Sequence, residues 1–77
     1  SINIIGLRVE EAMPLVTRFI DNAFAAGLSG VEIIHGVGTG RLALAVAEHL
    51  KKNPQVKGFH HGDPSYGGAG VTVAELA

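Results

Sequence analysis

Two stretches of this sequence repeat apolar residues at helical spacing, and each follows a short β-branched run that ends near glycine. The first stretch places Val9, Ala12, Met13, Val16, Phe19, Ile20, Ala23 and Phe24 on one face. The second does so with Leu42, Ala45, Val46, His49 and Leu50. A doubled strand–helix pattern leaves few folds open. Strands joined through helices run parallel, and the connections between them are right-handed.

The boundaries carry their own signals. Ile2 to Ile5 predicts a first strand closed by Gly6, and Val31 to Ile34 a second. Glu10 and Glu11 stand in the first turn of the first helix, where the helix dipole favours negative charge. Gly27 predicts its stop. Lys51 and Lys52 close the second helix before Asn53-Pro54. Gln55 to His60 predicts a third strand, His61 to Gly70 a turn-rich loop, and Val71 to Leu76 a fourth strand.

The expected architecture is an α+β two-layer sandwich in the order βαβαββ, with both helices on one face. Lys57 and Gly58 suit an edge strand. The fourth strand is therefore placed antiparallel between the second and third, giving sheet order 1-2-4-3. The chain is short enough for a single domain over residues 1–77, and its start at Ser1 suggests a piece of a longer protein.

Parallel strands bring Gly6-Leu7-Arg8, the segment His35 to Arg41 and His60-His61-Gly62-Asp63 to one edge of the sheet. The segment "HGVGTGR" is the densest of these. Gly36, Gly38 and Gly40 permit a left-handed backbone, Thr39 is a candidate N-cap, and Arg41 adds charge at a helix start. This is either a connecting turn or an anion site. It is neither a Walker A loop nor a dinucleotide fingerprint. His35 is a candidate phosphate contact and a candidate catalytic acid or base, the alternative being a structural histidine. Arg8, His60 and His61 complete the candidate rim. No standard metal-ligand spacing is present, so no metal site is expected. Tyr66, the one tyrosine, is a candidate base-stacking residue. The net charge of −1 requires any polyanion-binding surface to be local. No apolar run reaches the ~20 residues of a membrane span, and no membrane partner is expected.

Three segments, "GLRVEEA", "IIHGVGTGRL" and "GGAGVTVAEL", occur in the order and spacing of the Smr (small MutS-related) domain, which this chain resembles along its whole length. It is most similar to the carboxy-terminal Smr domain of the second type of bacterial MutS-like protein. The resemblance implies a fold similar to the carboxy-terminal domain of translation initiation factor three. It also implies structure-selective binding of DNA or RNA, with DNA or RNA nicking in many members. The absence of cysteine fits a cytoplasmic protein. Full-length proteins of this type are associated with recombination suppression or ribosome rescue. The other domains of the parent chain are thus expected partners. No cofactor is expected in this domain beyond Mg²⁺ for nicking, and ATP belongs to the parent's other domains.

The first strand departs from the family. Where the family usually reads L-D-L-[HR]-G, this chain has Ile2-Asn3-Ile4-Ile5-Gly6. Strand parity would put Asn3 and Ile5 on one face. Neither is a carboxylate, and Ile5 carries no charge. Nicking is therefore in question, and a catalytically silent nucleic-acid or ribosome docking module is the alternative. A protein-binding domain using an open sheet face with Ile5 and Ile34 is a third reading.

Overall fold

The structure, a computed structural model, describes the backbone of residues 1–77 and every side chain except that of Tyr66. The expectation that Tyr66 stacks on a base lies outside the described residues. The elements run β1 (Ile2–Asn3), α1 (Val9–Ala25), β2 (Gly30–Ile34), α2 (Arg41–Lys52), β3 (Val56–His61) and β4 (Val71–Leu76). Two 3₁₀ turns, Pro64–Tyr66 and Gly68–Gly70, lie between β3 and β4. The sheet order is β1-β2-β4-β3, with β1 parallel to β2 and β4 antiparallel to both β2 and β3. The sandwich read from the sequence is the one that forms.

The core lies between one sheet face and the two helices. Ile4, Val31, Ile33, Ala74 and Leu76 meet Ala12, Val16, Ile20 and Ala23 of α1 and Val46 and Leu50 of α2. Alternation puts Glu32 and Glu75 on the opposite, open face, where both are exposed. The helix α1 ends where the glycine predicts. Gly27 takes a φ of +78°, its N–H bonds to the Phe24 carbonyl at 3.0 Å, and the Leu28 N–H bonds to the Ala23 carbonyl at 3.1 Å. This is a Schellman closure, which needs a residue free of Cβ strain in the left-handed region.

Several boundaries differ from the sequence expectation. β1 stops at Asn3 rather than Ile5, because the Asn3 side-chain oxygen accepts from the Ile5 N–H at 2.9 Å and the chain turns there. One further pairing bond, from the Ile4 N–H to the Ile34 carbonyl at 2.8 Å, follows the strand. Ile5 therefore sits in a turn, and strand parity with Asn3 does not apply to it. It does not belong to the open sheet face. β3 is shifted by one residue to Val56–His61, with an irregularity in its pairing between Val56 and Gly58. The N-cap of α2 is Gly40, not Thr39. The segment read as a turn-rich loop contains the two 3₁₀ turns. Asp63 caps the first, and hydrogen bonds from the Ser65 hydroxyl and amide hold its carboxyl below the usual carboxylate range.

Ile33 is wholly buried at the centre of this core. Ile33→Ala is expected to cost about 2–5 kcal/mol, a large share of the roughly 4–12 kcal/mol available to a domain of this size. The check is a fall in urea midpoint at unchanged denaturant slope.

Candidate nucleic-acid interface

The C-terminal ends of β1, β2 and β3 and the N-termini of both helices share one end of the molecule, as the parallel strands require. Between the two helix starts lies an open cleft of about 580 Å³. Its walls are Ile5 to Glu10 on one side and His35 to Ala43 on the other. Arg8, His35, Gly36, Gly38, Thr39, Gly40 and Arg41 are thus brought together in one place.

The loop has few partners of its own. The Gly40 N–H bonds to the Val37 carbonyl at 3.0 Å, which closes a tight turn. Gly36, Gly38 and Gly40 all have positive φ, and Gly40 reaches +84° as N-cap of α2. A glycine cap has no side chain, so it cannot satisfy the first N–H groups of its helix. Thr39 compensates in part, its hydroxyl oxygen accepting from the Arg41 N–H at 3.4 Å. The next two helix residues, Leu42 and Ala43, line the cleft, and their N–H groups have no acceptor in the first turn. α1 is capped differently: Glu11 Oε1 accepts from the Arg8 N–H at 2.9 Å. The cleft therefore combines two exposed guanidiniums with the positive ends of two helix dipoles.

His35 is placed in the cleft wall but faces inward, with 4% of its surface exposed. Its Nδ1 lies 2.8 Å from the Gly36 carbonyl oxygen, and its Nε2 lies 2.8 Å from the Thr72 hydroxyl. A carbonyl oxygen only accepts, so Nδ1 carries a proton. In the neutral ring the Thr72 hydroxyl then donates to Nε2. Both ring nitrogens are occupied, and proton transfer to a ligand would require one of these bonds to break. The backbone is tied at the same point: the N–H groups of His35 and Gly36 both donate to the Gly70 carbonyl, at 3.0 and 2.9 Å.

His60 and His61 do not join this cleft. They border a separate depression of about 240 Å³ with Phe59, Thr72, Ala43 and Ala47, on the far side of α2. His60 Nδ1 donates to the His61 carbonyl oxygen at 2.7 Å. Two residues outside the candidate site set matter here. Glu10 is the one carboxylate lining the cleft. Thr72 secures His35 from β4, and its alternation with Ala74 and Leu76 is the signal that places it on the helix-facing side. His49 is structural, its Nε2 lying 3.5 Å from both Thr17 and Asn53. Among the described residues no three His, Asp or Glu groups converge on a common point. A protein-held Mg²⁺ does not fit the cleft, where Glu10 stands alone among basic and neutral groups.

Comparison with known proteins shows the family and the fold. The family model described as Smr domain matches residues 2–77. The chain is 52% identical over 76 residues to a protein named Endonuclease MutS2 from Thermotoga petrophila, and the match covers 99% of this chain and 10% of that protein. The protein of the same name from Aquifex aeolicus is 46% identical over 99% of this chain and 10% of its own length. The chain thus spans about a tenth of these relatives. Among solved structures, the Smr domain of Thermus thermophilus MutS2 superposes with a TM-score of 0.96 at 39% identity, covering 99% of this chain and 95% of that one. YdaL, a stand-alone small MutS-related protein from Escherichia coli, gives 0.92 at 32% identity over 97% of this chain and 62% of its own.

The His35 anchor yields a direct test. Thr72→Val keeps the shape but leaves the buried Nε2 unpaired, and is expected to destabilise the domain by about 1–3 kcal/mol. It is also expected to speed hydrogen exchange at the His35 and Gly36 amides. Thr72→Ser retains the hydroxyl and is expected to restore most of the amide protection.

Proposed function

This chain belongs to the Smr domain family, and from that membership we propose that it binds nucleic acid by structure, through phosphate held in the cleft between α1 and α2. The observation that carries this reading is the pairing of Arg8 and Arg41 at two helix starts around a glycine loop whose backbone lies open. The helix-start N–H groups and the guanidiniums would share the phosphate oxygens. Such contacts fix a strand's position without reading its bases, which suits recognition by structure rather than sequence. Thr39 and the glycines shape the loop. His35 holds it from beneath. In a longer parent chain the domain would dock its other domains onto branched DNA or ribosomal RNA. Recombination suppression and ribosome rescue are the settings that the family resemblance implies.

Nicking is the second reading, and the relatives' name of endonuclease supports it. Within the cleft only Glu10 is free to act as a base, since Asn3 has no carboxylate, Ile5 no charge, and His35 both nitrogens engaged. We therefore place binding first and cleavage second.

Binding is expected to weaken with salt. Arg8→Gln and Arg41→Gln should each lower affinity several-fold and reduce the slope of log K against log salt by about 1. Lys52→Gln, at the opposite end of α2, should leave the slope unchanged. Fluorescence anisotropy with labelled duplex DNA at a series of salt concentrations measures all three.

Incubation with supercoiled plasmid in Mg²⁺ buffer separates the two readings. The plasmid is expected to stay supercoiled. Conversion to open circles that Glu10→Gln abolishes would instead establish the nicking reading.

A further inference from the structure

The cleft has an apolar rim that phosphate binding does not use. Val37 is 67% exposed and Ile5 is 56% exposed, yet both line the same cleft as Arg8 and Arg41. Neither belongs to the core cluster or packs against it. Val37 stands between two glycines of positive φ, Gly36 and Gly38, and the turn closed by its own carbonyl holds it at the tip of the loop. Ile5 is fixed across from it by the Asn3 bond to its N–H. The Ile5 Cγ1 lies 3.4 Å from the point where a Cβ on Gly36 would stand, so the side chain rests on the loop backbone.

We infer that Ile5 and Val37 form a shelf that takes the base of an unpaired nucleotide whose phosphate sits in the cleft. This inference rests on the binding reading above and extends it to the kind of strand preferred. The occupant is a nucleic-acid strand because the shelf is flanked by the two cleft arginines, which complement its phosphates. Two exposed aliphatic side chains gain by leaving water, and a base face is a flat apolar partner. A base inside a duplex has both faces stacked and offers none. Only an unpaired base, at a flap, branch or gap, can cover the shelf while its phosphate fills the cleft. Preference for distorted or branched targets then follows from two aliphatic residues and needs no base-specific hydrogen bond.

The test uses this chain and two labelled DNA probes of equal phosphate number, a blunt duplex and a duplex with a single-stranded flap. The wild type is expected to bind the flap about 10-fold more tightly, the scale of partly burying two aliphatic side chains. Ile5→Ser combined with Val37→Ser should lower flap affinity to the duplex level and leave duplex affinity in place. Both residues lie outside the core, so the fold should persist, and an amide spectrum checks it. Leu44→Ser removes a side chain that is 64% exposed but outside the cleft, and should keep the full preference. Equal wild-type affinity for the two probes, or preference retained in the double variant, would overturn the shelf while leaving phosphate binding intact. Failure of the wild type to bind either probe would overturn the binding reading itself, and the shelf with it.

Discussion

The carbonyl of Gly70 accepts from two consecutive backbone N–H groups, those of His35 and Gly36, and the shape of the cleft end of the domain depends on that junction. Gly70 immediately precedes β4, while His35 and Gly36 leave β2 for the glycine loop. A loop with so few internal bonds would otherwise sample many conformations, at an entropic cost of about 1–2 kcal/mol for each residue fixed on binding. The junction meets part of this cost in advance through sheet pairing. The Thr72 bond to His35 adds a second tie two residues further along β4. The two glycine-rich segments of the sequence are therefore one structural unit. One supplies the open backbone, and the other anchors it to the middle of the sheet. Insertion of β4 between β2 and β3 brings them together.

This arrangement also explains how a chain of net charge −1 can present a site for an anion. Its charges are segregated. Glu32 and Glu75 lie on the open sheet face, and Lys51 and Lys52 close α2 at its far end. Arg8 and Arg41 stand at the cleft, where both helix dipoles present their positive ends. Glu11 is already engaged with the Arg8 backbone, which leaves Glu10 as the opposing charge in the cleft lining. At physiological salt the field decays over about 8 Å, so acids beyond that range count for little. Local placement, not the sum, decides what the cleft attracts.

Periodicity and glycine placement made the architecture legible. The helical stripes fixed two crossovers, and Lys57 with Gly58 marked β3 as an edge, which put β4 inside the sheet. The cleft was legible to the same degree, because parallel strands must deliver Arg8 and the glycine loop to one end. What could not be read concerns contacts between distant segments. The sequence leaves His35 open between a functional and a structural histidine, and only its partner 37 residues away shows that it is anchored. His60 and His61 reach the expected end, but α2 stands between them and the cleft, and strand direction alone carries no information about that helix's width. The early end of β1 is a local effect of another kind. The short Asn3 side chain competes with sheet pairing for the Ile5 N–H, so a β-branched run stops before its composition would suggest.

The same residue bears on how the cleft balances holding against cutting. Asn3 is directed to the backbone, its oxygen fixing the turn that carries Ile5, and it is absent from the cleft lining. A carboxylate there could accept the same hydrogen bond, so the turn itself does not demand the loss of charge. Its neutral amide nevertheless removes a negative group from the approach to a phosphate. Ile5, where the family pattern has His or Arg, withdraws a positive charge from the cleft wall and leaves an aliphatic surface against Gly36. Against the pattern that the resemblance implies, both differences reduce the groups able to move a proton, while their effects on charge oppose each other: Asn3 withdraws an anion and Ile5 withdraws a cation, and Arg8 and Arg41 remain. On the binding reading proposed above, Asn3 and Ile5 suit a cleft that retains a strand better than one that breaks it, and the contact left to Ile5 is one of shape rather than charge.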